Sequence, residues 1–166
     1  MEGLVNLLTE NMRGVLSRES VVFIISMMPI LELRGGLLAA SLLDVAYLKA
    51  LGICIVGNLL PIPFVLLFIE RIILFLEKFG PTKKIAMLLR RKVEKKQASI
   101  EKYDFWGLTL FVGIPLPGTG AWTGSLVAGL LHIPLKKSVP AILTGILMAS
   151  FIMSIVSYGV LGNIVG

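Results

Sequence analysis

Cysteine and histidine each occur once, at Cys54 and His132, in a chain of 166 residues. A lone cysteine excludes an internal disulfide framework. A lone histidine with no neighbouring cysteine or carboxylate set leaves no ligand group for a transition metal. Charge is scarce as well: 16% of residues are Asp, Glu, Lys or Arg against 56% hydrophobic, and the mean hydropathy is +0.91. An ordinary soluble domain draws about a quarter of its residues from those four charged types, so this composition points to a membrane protein. HExxH, GxSxG and GxxxxGK[ST] stretches are also missing. Metalloprotease, serine hydrolase and P-loop ATPase chemistry therefore have no residues to carry them, and neither enzyme activity nor a cofactor is expected.

The few charges are unevenly spread. Ten of the 16 lysines and arginines lie between Arg71 and Lys102. A basic segment between apolar runs is what the positive-inside rule produces, and no nucleic acid partner is needed to explain the net charge of +6.

Among the apolar runs, the stretch Pro115-Leu116-Pro117-Gly118-Thr119-Gly120-Ala121-Trp122-Thr123-Gly124 cannot continue a helix. Irregular backbone at membrane depth survives only where protein or a water-filled cavity supplies its hydrogen bonds. The apolar arms on either side, residues 105–114 and 121–131, each fall short of the roughly 20 residues of a crossing. The expectation is a re-entrant hairpin: helix in, Pro/Gly turn, helix out on the same side.

A second copy of this device appears when the chain is slid on itself by 88 residues. Pro29 then falls on Pro117, Gly36 on Gly124, Lys49 on Lys137 and Gly57 on Gly145, among nine identities over 31 positions. Both copies run in the same order: short apolar arm, break, second short arm, polar corner with lysine, long apolar run. An internal repeat with interrupted helices at matching positions points to a transporter binding site. The fold class expected is an all-α integral membrane protein of two inverted repeats, each a re-entrant helical hairpin followed by a transmembrane helix, plus amphipathic helices. As a single membrane domain over residues 1–166, it divides into an amphipathic surface helix (1–20) rather than a signal peptide, repeat 1 (21–69), a basic cytoplasmic middle (70–104), repeat 2 (105–158) and a tail (159–166). The spanning runs are placed at 46–69 and 138–158. In the middle, Gly80-Pro81 ends one helix, and Ile85, Leu88, Leu89 and Val93 form one face of the next. With the basic middle and Lys136-Lys137 inside, the first hairpin opens outward and the second inward.

The first break, Pro29-Ile30-Leu31-Glu32-Leu33-Arg34-Gly35-Gly36, holds the strongest chemical signal. An ionisable residue inside the membrane marks an ion or substrate pathway by default. Glu32 can be neutral when desolvated and charged when wet, which suits proton coupling. Arg34 keeps its charge and suits phosphate or carboxylate. The alternative is a Glu32–Arg34 pair that locks the hairpin. In the second break, Pro117, Gly118, Thr119 and Gly120 let backbone approach a ligand. Amides at the following helix start offer an anion site, with hydroxyls from Thr119 and Thr123 and a ring from Trp122, which is equally readable as packing. Asn58, beside Pro61-Ile62-Pro63, needs a partner in a neighbouring helix or a cavity.

At Pro29-x-x-Glu32-x-Arg34-Gly35-Gly36 and Pro115-x-Pro117-Gly118-Thr119-Gly120-Ala121-Trp122-Thr123-Gly124 the chain resembles the small multidrug export family of short prokaryotic membrane proteins, itself distantly similar to the DedA/VTT superfamily. The resemblance implies inverted hairpin-plus-helix repeats in a multi-pass protein of the prokaryotic cell membrane. It also implies DedA-type chemistry: proton-dependent membrane homeostasis, drug tolerance and recycling of undecaprenyl phosphate, with acidic and arginine residues of the hairpins serving coupling and phosphate recognition. Glu32 and Arg34 match that pattern, while the second break lacks the arginine that DedA proteins carry. The expected partners are membrane lipids, an anionic lipid or small solute as substrate, and a proton or other coupling ion, with a homodimer left open. A cationic multidrug exporter and a non-transporting lipid-organising scaffold are the competing readings.

Overall fold

The computed structural model describes residues 3, 17–78 and 80–160, and every regular element from residue 17 onward is helical. The expected amphipathic helix over residues 1–20 lies almost wholly outside the described residues, as does the tail beyond residue 160.

Helix α1 (Arg18–Met27) starts where the Ser17 hydroxyl accepts the Ser20 amide at 3.2 Å, a side-chain cap on an otherwise orphaned donor. It stops at Met28, which is extended at φ −71°, ψ 135° as the residue before a proline is pressed to be. After Pro29 the chain turns into α2 (Glu32–Leu42). A corner leads to α3 (Tyr47–Leu59), and after Leu60-Pro61 comes α4 (Ile62–Lys78). Helix α5 (Gly80–Gly113) carries Pro81 in its first turn, where its missing N–H costs nothing. After the second break come α6 (Ala121–Leu130), α7 (Leu135–Ser154) and a π-helical end, Ile155–Val160.

The 88-residue spacing recurs in the backbone itself. After α2, the amides of Leu43, Asp44 and Val45 donate to the carbonyls of Ala39, Ser41 and Ala40; after α6, those of Leu131, His132 and Ile133 donate to Val127, Gly129 and Ala128. Each donor and acceptor is shifted by the same interval. Asp44 and His132 are both left-handed, with φ 53° and 54°, the conformation that closes a helix C-terminus. The next helices also enter alike, through Ala46 and Pro134, each with φ −53°.

Helix α1 packs on α2 and α3, and α6 packs on α4, α5 and α7. Close approach depends on missing side chains: a Cβ at Gly145 would lie 2.6 Å from Val112 Cβ. At the periphery, Lys49 Nζ reaches Glu19 Oε1 at 2.7 Å, tying the start of α3 to that of α1, and this hydrogen bond holds the Glu19 carboxyl below its ordinary value. Helix α7 runs antiparallel to α3. Its far end meets the start of α3 through the Tyr47–Tyr158 ring contact at 5.2 Å and the Tyr158 hydroxyl donating to Val45 O at 2.9 Å.

Among the described residues, two runs are long and apolar enough to cross a membrane, Tyr47–Lys78 and Leu135–Gly159. Their outward faces expose Val56, Phe64, Leu67, Leu147 and Phe151, the surface a bilayer would cover. Both depart from their expected limits. The first runs on to Lys78, past the expected Ile69, and is interrupted, as expected, at Pro61, which can neither donate to the turn before it nor avoid a clash there. The second begins three residues early, at Leu135.

The basic middle differs more. No helix end falls at residues 104/105, where repeat 2 was expected to begin. Ala86 and Leu89 of α5 pack in the cluster that holds Trp122, Leu126 and Leu130 of α6. Leu108 and Val112, far along the same helix, sit against Gly124 of α6. Leu89 also lines one cleft with Thr123 and Leu126 of α6; the ten residues of α6 span about 15 Å, whereas a straight helix would hold Leu89 and Val112 about 35 Å apart. Helix α5 therefore bends between its two halves. The expected apolar stripe also splits: Val93 is buried and Leu89 partly so, while Ile85 and Leu88 are exposed.

Candidate functional site

The site forms where the two breaks meet. Beyond Gly113 the chain leaves carbonyls that no helix amide can take, because Pro115 and Pro117 carry no N–H. Thr119 organises this loop. Its amide donates to Leu116 O at 3.2 Å, and its Oγ1 lies 2.9 and 2.8 Å from the carbonyls of Ile114 and Leu116 while accepting the Leu116 amide at 3.3 Å. Gly118 (φ 77°) and Gly120 (φ 128°) take up the backbone conformations that turn the chain into α6.

Arg34 reaches across from α2 into this loop. Nη1 donates to Leu116 O at 2.8 Å. Nη2 donates to Ile114 O and Thr119 Oγ1, each at 3.1 Å, with Val112 O at 3.4 Å. Glu32 reaches the other side of the same loop: its Oε2 accepts the Ala121 amide at 2.8 Å and its Oε1 the Trp122 amide at 3.1 Å. Trp122 returns a bond, its indole N–H donating to Met27 O at 3.1 Å. Two charged side chains of one break thus cap the two helix ends that flank the other. The carboxylate sits at the positive N-terminus of α6 and the guanidinium at the negative C-terminus of α5.

Glu32 and Arg34 do not form an ion pair with each other within 4.0 Å; the ion pairs among the described residues are Lys49–Glu19, Arg90–Glu77 and His132–Glu70. Positions two apart on a helix point to different sides, so the pair splits between α6 and α5. The locked Glu–Arg pair entertained from the sequence is replaced by two inter-hairpin caps. Both side chains are buried, at 4% and 7% exposure. Glu32 also holds φ 52°, an unusual conformation for a non-glycine residue, and its equivalent in the second copy is Gly120.

The remaining expected residues divide. Pro117, Gly118 and Thr123 line a cleft of about 360 Å³ together with Leu89, Val93 and Lys95. Gly120 gives Glu32 its room, since a Cβ there would collide with the carboxylate. Gly35 and Gly36 face away, Gly35 against Leu31 and Gly36 against Ser26 and Cys54; they serve the packing of α2. Asn58 is buried, and its Oδ1 has no hydrogen-bond partner among the described residues. Lys95 was missed as a site residue. Its place in a run of lysines reads as solvated surface, and only the bend of α5 brings it beside Gly118.

Two helical runs long and apolar enough to cross a membrane, exposed apolar flanks and a charged joint between two helix breaks define an all-helical protein of membrane character. The family described as "Putative small multi-drug export protein" matches residues 32–152, a span that opens at Glu32 inside the first break and takes in the whole of the second. The chain belongs to that family. No curated protein and no solved structure matches it.

Proposed function

We propose that this export-family protein is a proton- or ion-coupled transporter that moves an anionic lipid, such as a polyprenyl phosphate, or a small anionic solute by alternating access. The two hairpins are taken as re-entrant and the two halves as inverted repeats, the arrangement in which substrate sites lie at broken helices near the bilayer midplane. The antiparallel course of α3 and α7 and the 88-residue recurrence of their corners support that arrangement. The similarity to DedA/VTT proteins belongs to the same proposal.

One observation carries it: the Glu32 carboxylate occupies the amides of Ala121 and Trp122. A helix N-terminus is a ready anion site, and here the protein's own carboxylate fills it. Protonation of Glu32 removes its charge, releases the two amides and lets a substrate anion take its place. Arg34 holds the opposite end of the loop and adds positive potential. Lys95 and Thr123, lining the adjacent cleft, would meet the rest of the anionic group. Substrate and proton then enter together.

Reconstituted protein assayed for binding of a polyprenyl phosphate against pH tests this. Binding should strengthen as pH falls, Glu32→Gln should bind with no pH dependence, and Arg34→Ala should not bind. Arg34→Lys should recover little, because an ammonium cannot span several carbonyls as the guanidinium fork does. A folded Glu32→Gln protein that keeps the wild-type pH profile removes the proposal. The cationic multidrug exporter is favoured by the family's own description and by the buried carboxylate of Glu32, while Lys95 in the cleft wall counts against it. It predicts the reverse slope, with cationic dyes binding better at high pH.

A further inference from the structure

A second cleft lies away from the joint, on the outer surface between α4 and α7. Its volume is about 280 Å³, and its walls are apolar, including Ile62, Leu66 and Leu67 on one side and Leu135, Val139 and Leu143 on the other. Both helices belong to the runs long enough to cross a membrane. The direction of the groove is fixed by the pair His132 Nε2–Glu70 Oε1 at 3.0 Å, which joins the far part of α4 to the corner before α7. One end of the groove is therefore ringed by charge and the other runs into apolar sequence.

We propose that this groove is a binding site for an anionic phospholipid, one acyl chain lying between α4 and α7 and the phosphate resting at Arg71 and Lys136. Arg71 follows Leu67 by four residues, and Lys136 precedes Val139 by three and Leu143 by seven, so helical spacing sets both cations on the groove's own faces at its charged end. Both are exposed. The acidic group at this rim, Glu70, is already bonded to His132, and Lys137 adds a further positive charge. From Leu135 to Leu143 the groove wall rises about 12 Å, close to the roughly 15 Å depth of one leaflet's hydrocarbon. The lysine and arginine distribution assigns this rim to the cytoplasmic side, where anionic lipids and basic side chains attract each other. The site depends on the membrane placement of α4 and α7 and not on the transport mechanism.

The test uses full-length protein in detergent, titrated with phosphatidylglycerol and with phosphatidylcholine of the same acyl chains, and read by native mass spectrometry and melting temperature. Wild type should prefer phosphatidylglycerol. Replacing both cations (Arg71→Gln with Lys136→Gln) should weaken that lipid by about thirtyfold, roughly fivefold for each basic residue near an anionic headgroup, leaving the two lipids equal. Leu143→Trp should fill the groove and lose both lipids while the lipid-free protein melts as before; Leu67→Trp, on the facing wall, repeats the test should the first variant not fold. Equal binding of the two lipids by wild type overturns the proposal, as does a preference that survives loss of both cations. A tryptophan variant that changes oligomeric mass and leaves lipid occupancy intact makes the groove an interface between copies of the chain, and the proposal fails.

Discussion

At the level of single residues, the joint between the breaks depends on what Gly120 lacks. Its φ of 128° and ψ of −174° lie in a region that is essentially closed to other residues, and a Cβ would meet the Glu32 carboxylate. Gly120→Ala should therefore lose the backbone fit and both amide–carboxylate bonds, a cost of about 3 kcal/mol or more. Gly118→Ala faces open space at φ 77°, and strain alone should cost about 1 kcal/mol. Thermal melting of the two purified variants checks the order; equal losses would mean that Glu32 does not sit against Gly120. The sequence already singled out both glycines, because a glycine between proline and an apolar run has few other uses. It did not reveal which glycine faces a charge. That depends on a contact 89 residues away, and no local pattern encodes it. The split of Glu32 and Arg34 to different partners follows from their spacing of two, but only once α2 is known to start at Glu32.

Among the elements, the interrupted crossing α3–α4 places a polar group where the membrane tolerates it least. Asn58 lies one turn before the Pro61 break with its Oδ1 unpartnered and buried. An unsatisfied buried acceptor costs about 1–3 kcal/mol, and an apolar side chain of similar shape escapes that cost. Asn58→Leu should thus raise the melting temperature, and transport should fall if the amide serves a passing ligand. A variant that melts lower would mean that Asn58 is bonded in the folded protein. The order of helices and breaks was legible because prolines, glycines and apolar runs act locally. The bend of α5 was not. Beyond Gly80-Pro81 and one apolar face, charge is what stands out in the stretch from Arg71 to Lys102, and charge does not say where a helix turns back. The placement of both Leu89 and Val112 beside one short helix supplies that information.

For the whole molecule, Lys49 and Lys137 are equivalent positions of the two copies, each in the first turn of a long helix. Inverted halves place them on opposite sides of the membrane. Single cysteines at Lys49 and at Lys137, in a chain with Cys54 replaced, should label with an impermeant thiol reagent from opposite sides; labelling from one side would dismiss inversion.

The caps that join the two breaks connect residues 78 to 90 positions apart. During synthesis the first hairpin is complete long before its partner exists. At about 5–20 residues per second, the ribosome needs roughly 5–20 s to supply the missing loop. For that interval a carboxylate and a guanidinium stand in apolar nascent chain with their helix-end partners still unmade. The nascent half is then a substrate for membrane proteases and insertion chaperones, and a chain stopped before Gly113 remains in that state. Pulse-chase of such a truncation should show degradation faster than that of the full chain, and replacing Glu32 and Arg34 together by Gln and Leu should slow the loss.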